Sequence, residues 1–249
     1  MKKLFAIIIS TIYLFAITPL EVAKKSDEVS SNFDSSVAIM HMTLINASGQ
    51  KSDRTMELKT LEGANGDKSL MSFLTPADVK GTKLLTYEKI DDEDDQWLYM
   101  PALKRTKRIS SSNKSGSFMG SEFSYEDVAN NDYRKYTYQE GLEEVMLDGV
   151  VCFKFTRVPK DTNSGYSKQI IWVEKENFLV QKVEYYDRKN ELLKVAVFGE
   201  YKKLDEVWRI GKIHMKNLQN KKETVLLWSE DKVKADLNQN DFRQSVLSR

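Results

Sequence analysis

The sequence predicts a mainly β fold: one long antiparallel sheet that curls on itself, with a helix near each end. Three observations predict it. From residue 35 onward, short segments carrying apolar residues at every second position follow one another almost without interruption, which is the period of a half-buried strand. Many are joined by polar stretches of hairpin length, such as EKEN (174–177), DRKN (187–190) and QNKK (219–222),. No repeat, linker or low-complexity tract divides the 249 residues. A dozen or so strands are more than a flat sheet accommodates, so the sheet is expected to curl.

The elements follow in order. MKKLFAIIISTIYLFAITPLEVAKK opens the chain. Lys2 and Lys3 make a positive start, and Leu4 to Ile17 an apolar run too short to span a bilayer comfortably. Residues 1–16 therefore read as a secretory signal, cut after Ala16 or, as second choice, after Ala23; an uncleaved anchor is the competing reading. PLEVAKKSDEVSSNF (19–33) has helical character, with Pro19 suited to a first turn. Residues 35–63 are two alternating runs around SGQKS, a hairpin signature. Ala38, Met40, Met42 and Leu44 share one face of the first run, and Met56 and Leu58 belong to the apolar side of the second. SLMSFLTP (69–76), GTKLLTYEKI (81–90), QWLYMP (96–101) and KRTKRIS (104–110) continue the pattern, with Trp97 and Tyr99 on one strand face. SYEDVAN (124–130) reads as a short helix capped by Ser124. Seven further strands run from YRKYTYQE (133–140) to ETVLLWSE (223–230), and QNDFRQSVLS (239–248) as a closing helix. One domain over 17–249 is the economical organisation.

Composition excludes several classes. A net charge of +1 argues against a general nucleic-acid binder,. Two histidines and one cysteine are too few for a His/Cys zinc site,, so no cofactor or metal is expected. Cys152 has no partner for an internal disulfide and reads as a small buried hydrophobe. DDEDD (91–95) lacks the glycine and glutamate that a calcium loop needs at its sixth and twelfth places, which hold Gln96 and Ala102,. The bases of KRTKR (104–108) read first as a water-facing strand, second as a surface for an anionic partner or lipid headgroups. Ser111 and Lys114 match a Ser-x-x-Lys nucleophile only by sharing Lys114 with the following KSG, which rejects the match. His41 and His214 sit in strands without an Asp or Ser signature beside them. The chain is thus expected not to be an enzyme and to act as a monomer.

KSGSFMGSEFSYEDV (114–128) places Phe118, Met119 and Phe123 among glycines and serines, where a solvated loop would be polar. Two readings stay open: a glycine-hinged lid with an apolar underside, or a plug in a static core. Methionines are spread over many segments, and methionine is the adaptable side chain of apolar binding surfaces. Met40, Met42, Leu44, Met56, Leu58, Trp97, Tyr99, Phe118, Met119 and Phe123 are accordingly the candidate lining of a cavity for a hydrophobic ligand.

PADVKGTKLL (76–85), WLYMPALKRTKRI (97–109) and GSFMGSEFSYEDV (116–128), in that order, resemble the outer-membrane lipoprotein-sorting protein family, related to the periplasmic lipoprotein carrier LolA and its receptor LolB. The resemblance runs over roughly residues 27–249. Its motif residues here are Trp97, Tyr99, Pro101, Arg108, Gly116, Phe118, Met119, Gly120, Ser121, Phe123 and Asp127; Glu122 stands where the family usually has Asp. The resemblance implies an incomplete, half-open antiparallel β-barrel with a few helices covering an apolar cavity. It implies a periplasmic carrier of lipid or of lipoprotein acyl chains, or else an accessory subunit docking on an inner-membrane transporter of the resistance–nodulation–division type.

Overall fold

The computed structural model describes residues 17–129 and 132–248. The expected signal, residues 1–16, lies outside them. The helix α1 (Pro19–Glu28) starts at a capping box: the Thr18 hydroxyl accepts from the Glu21 amide while the Glu21 carboxylate accepts from the Thr18 amide,. Pro19 occupies the first turn, where its missing N–H costs nothing,. Cleavage after Ala23 would cut through this helix.

A meander follows: β1 (Ser35–Ile45), β2 (Lys51–Leu61), β3 (Lys68–Thr75), β4 (Lys83–Tyr87), β5 (Asp95–Met100) and β6 (Arg105–Ile109). Beyond the 110–129 loop come β7 (Tyr136–Tyr138), β8 (Glu143–Leu147), β9 (Val150–Pro159), β10 (Tyr166–Glu174), β11 (Val180–Asp187) and β12 (Leu192–Gly199). The chain closes with β13 (Lys202–Leu204), β14 (Val207–Arg209), β15 (Lys212–Asn217) and β16 (Glu223–Val233). β13 and β14 form a separate hairpin; the other 14 strands make one sheet, in the order β6-β5-β4-β3-β2-β1-β16-β15-β12-β11-β10-β9-β7, with β8 also on β9. Two meanders are thus sewn together where the first strand meets the last, antiparallel from Ser36–Val233 to Ile45–Glu223. The sheet does not close, because β6 and β7 lie at its two ends.

Alternation decides which residues face inward. Ala38, Met40 and Met42 of β1 are buried on the inner face, with Met56, Met71, Phe73, Leu84 and Leu98 from β2–β5 and Phe153, Ile171, Tyr185, Met215 and Leu226 from the other arm. α1 adds Val22 and Ala23 to this core. A second, smaller cluster lies on the outer face. Trp97 and Tyr99 are half a period away from the buried Leu98, and they pack with Leu70 and Leu85 against Phe242 and Leu247 of the C-terminal segment.

Two expected helices come out differently. Residues 124–129 keep the Ser124 cap, but the turn it opens is not continued as a helix. The Ser124 amide donates to the Asp127 carboxylate (2.6 Å), the Asp127 amide to the Ser124 hydroxyl (3.1 Å), and the Val128 amide to the Ser124 carbonyl (3.2 Å). The Asp127 carboxylate is then drawn off to β10 and β12, as described below. At the C-terminus two short 3-10 turns, Gln239–Phe242 and Gln244–Val246, replace a helix. Phe242 and Leu247 are their anchors, both fully buried on the outer face.

Candidate functional site: an apolar cavity and the loop across the open side

A cavity of about 430 Å3 lies between the inner face, the end of α1 and the β13–β14 hairpin. Its walls are Met40, Met42, Leu58 and Met71 from one arm, and Phe178, Leu179, Phe198, Ile213, Leu226 and Trp228 from the other, with Phe123 and Val128 between. That is the size range of small-ligand sites. Arg209 and Asp231, paired at 2.9 Å, border it beside the hairpin, whose Trp208 amide donates to the Val29 carbonyl after α1. Two other depressions, about 490 and 580 Å3, carry charged side chains such as Asp91, Lys114 and Lys160, or Arg188, Lys189 and Lys222. They lack the apolar walls of the first.

Three carboxyl groups from three elements stand in the same cavity wall: Asp27 of α1, Asp67 just before β3 and Glu88 just after β4. Burial, then the Asp132 and Glu88 charges, lift Asp27 to about 6. Burial, then the Glu88 charge, lifts Asp67 to about 7. Burial raises Glu88 as well, against the opposing pull of Lys135, whose ammonium is 3.0 Å away. Apolar walls with an acidic rim therefore characterise this cavity.

The loop 110–129 bridges the open side of the sheet. Within it, Ser117 and Ser124 pair, the Phe118 amide donates to the Phe123 carbonyl (2.7 Å), and the Ser121 amide donates to the Phe118 carbonyl (3.0 Å). This is a miniature hairpin whose central residues, Met119 (φ 51°) and Gly120 (φ 76°), both have positive φ, as in the tight turns that suit twisted strands. Gly120 is where the loop uses glycine freedom; Gly116 is not at positive φ,. The Ser121 hydroxyl donates to the Phe118 carbonyl (2.7 Å) and accepts from the Phe123 amide (3.2 Å), locking the turn. Phe118 is fully buried, its ring 5.9 Å from Phe73 and 5.6 Å from Tyr125. In this conformation its ring fills part of the core.

Asp127 fastens the loop to the far arm. Its carboxylate accepts from Tyr166 Oη (2.8 Å), from the Ser124 amide and from Lys194 Nζ, which also donates to the Glu122 carbonyl (2.9 Å). Both ends of this ion pair have side chains 4% exposed. Lys194 lies near the Tyr166 and Tyr185 rings as well, so the charge is held by a carboxylate, a carbonyl and two π faces.

The candidate residues separate into groups. Met40, Met42, Leu58 and Phe123 line the cavity, joined there by Asp127. Met56 and Phe118 are buried in the core behind it, with Leu44 and Met119 half-buried against that core. Trp97 and Tyr99 stand on the outer face and away from the cavity, because alternation with Leu98 turns them there. Pro101 begins a 3-10 turn and packs beside Gly81. Arg108 is exposed and bonds Asp95. Sequence reasoning missed Lys194, Asp27, Asp67 and Glu88. Lys194 left a trace: in ELLKVAVF it occupies the same alternation phase as the buried Ala196. Asp27 lies four residues after the buried Ala23, on the covered side of α1,.

No metal-binding group of His, Cys, Asp or Glu is found among the described residues. Residues 65–249 match a family model described only as "Uncharacterized protein". No curated protein matches the chain. Among solved structures, a domain assigned to outer-membrane lipoprotein sorting from Vibrio parahaemolyticus is 44% identical, with a TM-score of 0.88 over 92% of this chain and 98% of that one. A DUF1329 family protein from Desulfovibrio piger is 32% identical, TM-score 0.85, over 92% and 97%. A LolA superfamily protein from Nitrosomonas europaea, at 22% identity and TM-score 0.76 over 93% and 100%, shares the fold. The chain belongs to the outer-membrane lipoprotein-sorting family of LolA-like folds.

Proposed function

We propose that the protein carries lipid, or the acyl chains of lipoproteins, in the cavity between the inner sheet face, α1 and the β13–β14 hairpin. The observation that carries this reading is the wall itself: methionine, leucine, isoleucine and phenylalanine side chains from both arms around about 430 Å3. Each methylene moved from water into such a wall gains ~0.8 kcal/mol, so roughly ten methylenes suffice for about 8 kcal/mol before ordering costs. Holding an acyl chain this way uses burial alone and calls for no catalytic group. Residues 1–16 act as the export signal in this reading, and the mature chain works in the periplasm.

Native mass spectrometry of protein purified from the periplasm tests the proposal. Co-purified lipid or acylated peptide, released on unfolding, is the expected result. Consistently empty protein that pulls down an inner-membrane transporter would replace the carrier with an accessory subunit. Sequencing of the mature N-terminus should place it between Ile17 and Lys24.

A further inference from the structure

β6 ends the sheet, and Arg105, Thr106, Lys107 and Arg108 are all exposed. Lys104 precedes them, and Leu103 beside it is 60% exposed. An edge strand presents one row of backbone N–H and C=O groups without a ladder partner. The opposite edge is different: β7 is three residues long and begins at the buried Tyr136. The bases of β6 also alternate across the edge. Arg105 and Lys107 stand in the phase of the buried Ile109, and Arg108 in the phase of Trp97. The face of Arg105 and Lys107 would therefore meet an incoming strand with positive charge, while on the other face Arg108 is already paired with Asp95.

We propose that β6 is a docking edge that accepts an acidic, extended segment of a partner protein as an added strand. The same charge settles the occupant. A second copy of this edge is repelled by its own lysines and arginines, which is how edges avoid self-pairing. A strand carrying carboxylates meets complementary charge and completes the backbone ladder at once. The acidic turn 91–95 adjoins the Ile109 end of β6, where Asp95 already bonds Arg108. The docked segment is thus steered toward Leu103–Lys107, with Leu103 available to an apolar side chain at its end.

The probe is a short, fluorescein-labelled synthetic peptide of alternating glutamate and valine; a peptide with lysine in place of glutamate is the control. Anisotropy should show the acidic peptide binding, more weakly as salt rises, and the lysine peptide not binding. Hydrogen exchange should slow at backbone amides within 103–109 and nowhere else on the sheet. The double variant R105E/K107E, on exposed positions, should melt like the parent and lose on the order of tenfold or more in affinity. If the variant fails to fold, the exchange measurement on the parent protein still decides. Binding without slowed exchange at 103–109 overturns the proposal, because charge alone then explains it. Failure of the acidic peptide to bind overturns it too, as does capture of phosphatidylglycerol vesicles while the peptide is ignored, which would make the edge a membrane contact.

Discussion

Replacing Asp127 by alanine removes the buried charged anchor among the several bonds by which the 110–129 loop holds the far arm of the sheet, the others running from Glu122 and Glu126. Three donors lose their acceptor: the Ser124 amide, Tyr166 Oη and Lys194 Nζ. The ammonium of Lys194 is left with the Glu122 carbonyl and two tyrosine faces, on a side chain 4% exposed. Breaking one partner of a buried ion pair costs about 3–5 kcal/mol, because the survivor stays desolvated and uncompensated. Against a total stability of roughly 5–15 kcal/mol, the expected fall in melting temperature is about 10 °C for a chain of this size. Urea unfolding gives the free energy, and hydrogen exchange at the Phe118 amide reports whether the loop loosens first. The companion D127N/K194M keeps one amide oxygen to accept from the Ser124 amide, turns its NH2 toward Tyr166 Oη as a donor,, and removes the orphaned charge, so it should recover most of the loss. A D127A protein within about 1 kcal/mol of the parent would refute the reasoning, since the pair would then be no anchor.

Phe118→Ala should cost about 3–5 kcal/mol in urea unfolding, the range for emptying a packed aromatic site, and Phe118→Asp should fail to fold; a folded, fully stable Phe118→Asp would rule out the plug. Gly120→Val forces a β-branched side chain to φ 76° with nothing within 4 Å to clash, so its penalty is backbone strain of ~1–3 kcal/mol, seen as a lowered melting temperature. Asp27 and Asp67 have folded pKa values raised above the unfolded carboxyl, so their stabilising contribution is complete below about pH 4 and is lost as pH rises through about 6 and about 7,. Both sites are partly solvated, so a loss of ~1–2 kcal/mol between pH 5 and 8 is expected. It should flatten in D27N/D67N; stability that rises over that window would contradict the assignment.

The sheet was legible because its signal is local. Ala38, Met40 and Met42 alternate with half-buried or exposed neighbours, and the same rhythm locates Met56 and Leu58. The outward turn of Trp97 and Tyr99 was not legible. Both faces of β5 are apolar, since one packs on the main core and the other on Phe242 and Leu247, more than a hundred residues later. Alternation groups Trp97 with Tyr99 but does not say which side is the cavity. The cap of SYEDVAN was legible, yet its continuation was overridden when Asp127 found Tyr166 and Lys194, contacts far away in sequence. The acidic rim escaped for the same reason: Asp27, Asp67 and Glu88 are single carboxylates in three separate segments, and only the curl of the sheet brings them to one wall.

The central claim is that acyl chains occupy the cavity on the inner face. Displacement of a fluorescent fatty-acyl probe tests it directly, using Leu58→Asp in the cavity wall and Trp97→Ala on the outer face. A carboxylate in an apolar wall costs an acyl chain several kcal/mol of contact, so Leu58→Asp should fold and lose probe binding while Trp97→Ala binds as the parent does. Equal binding by Leu58→Asp and the parent, or loss of binding in Trp97→Ala alone, would contradict the account.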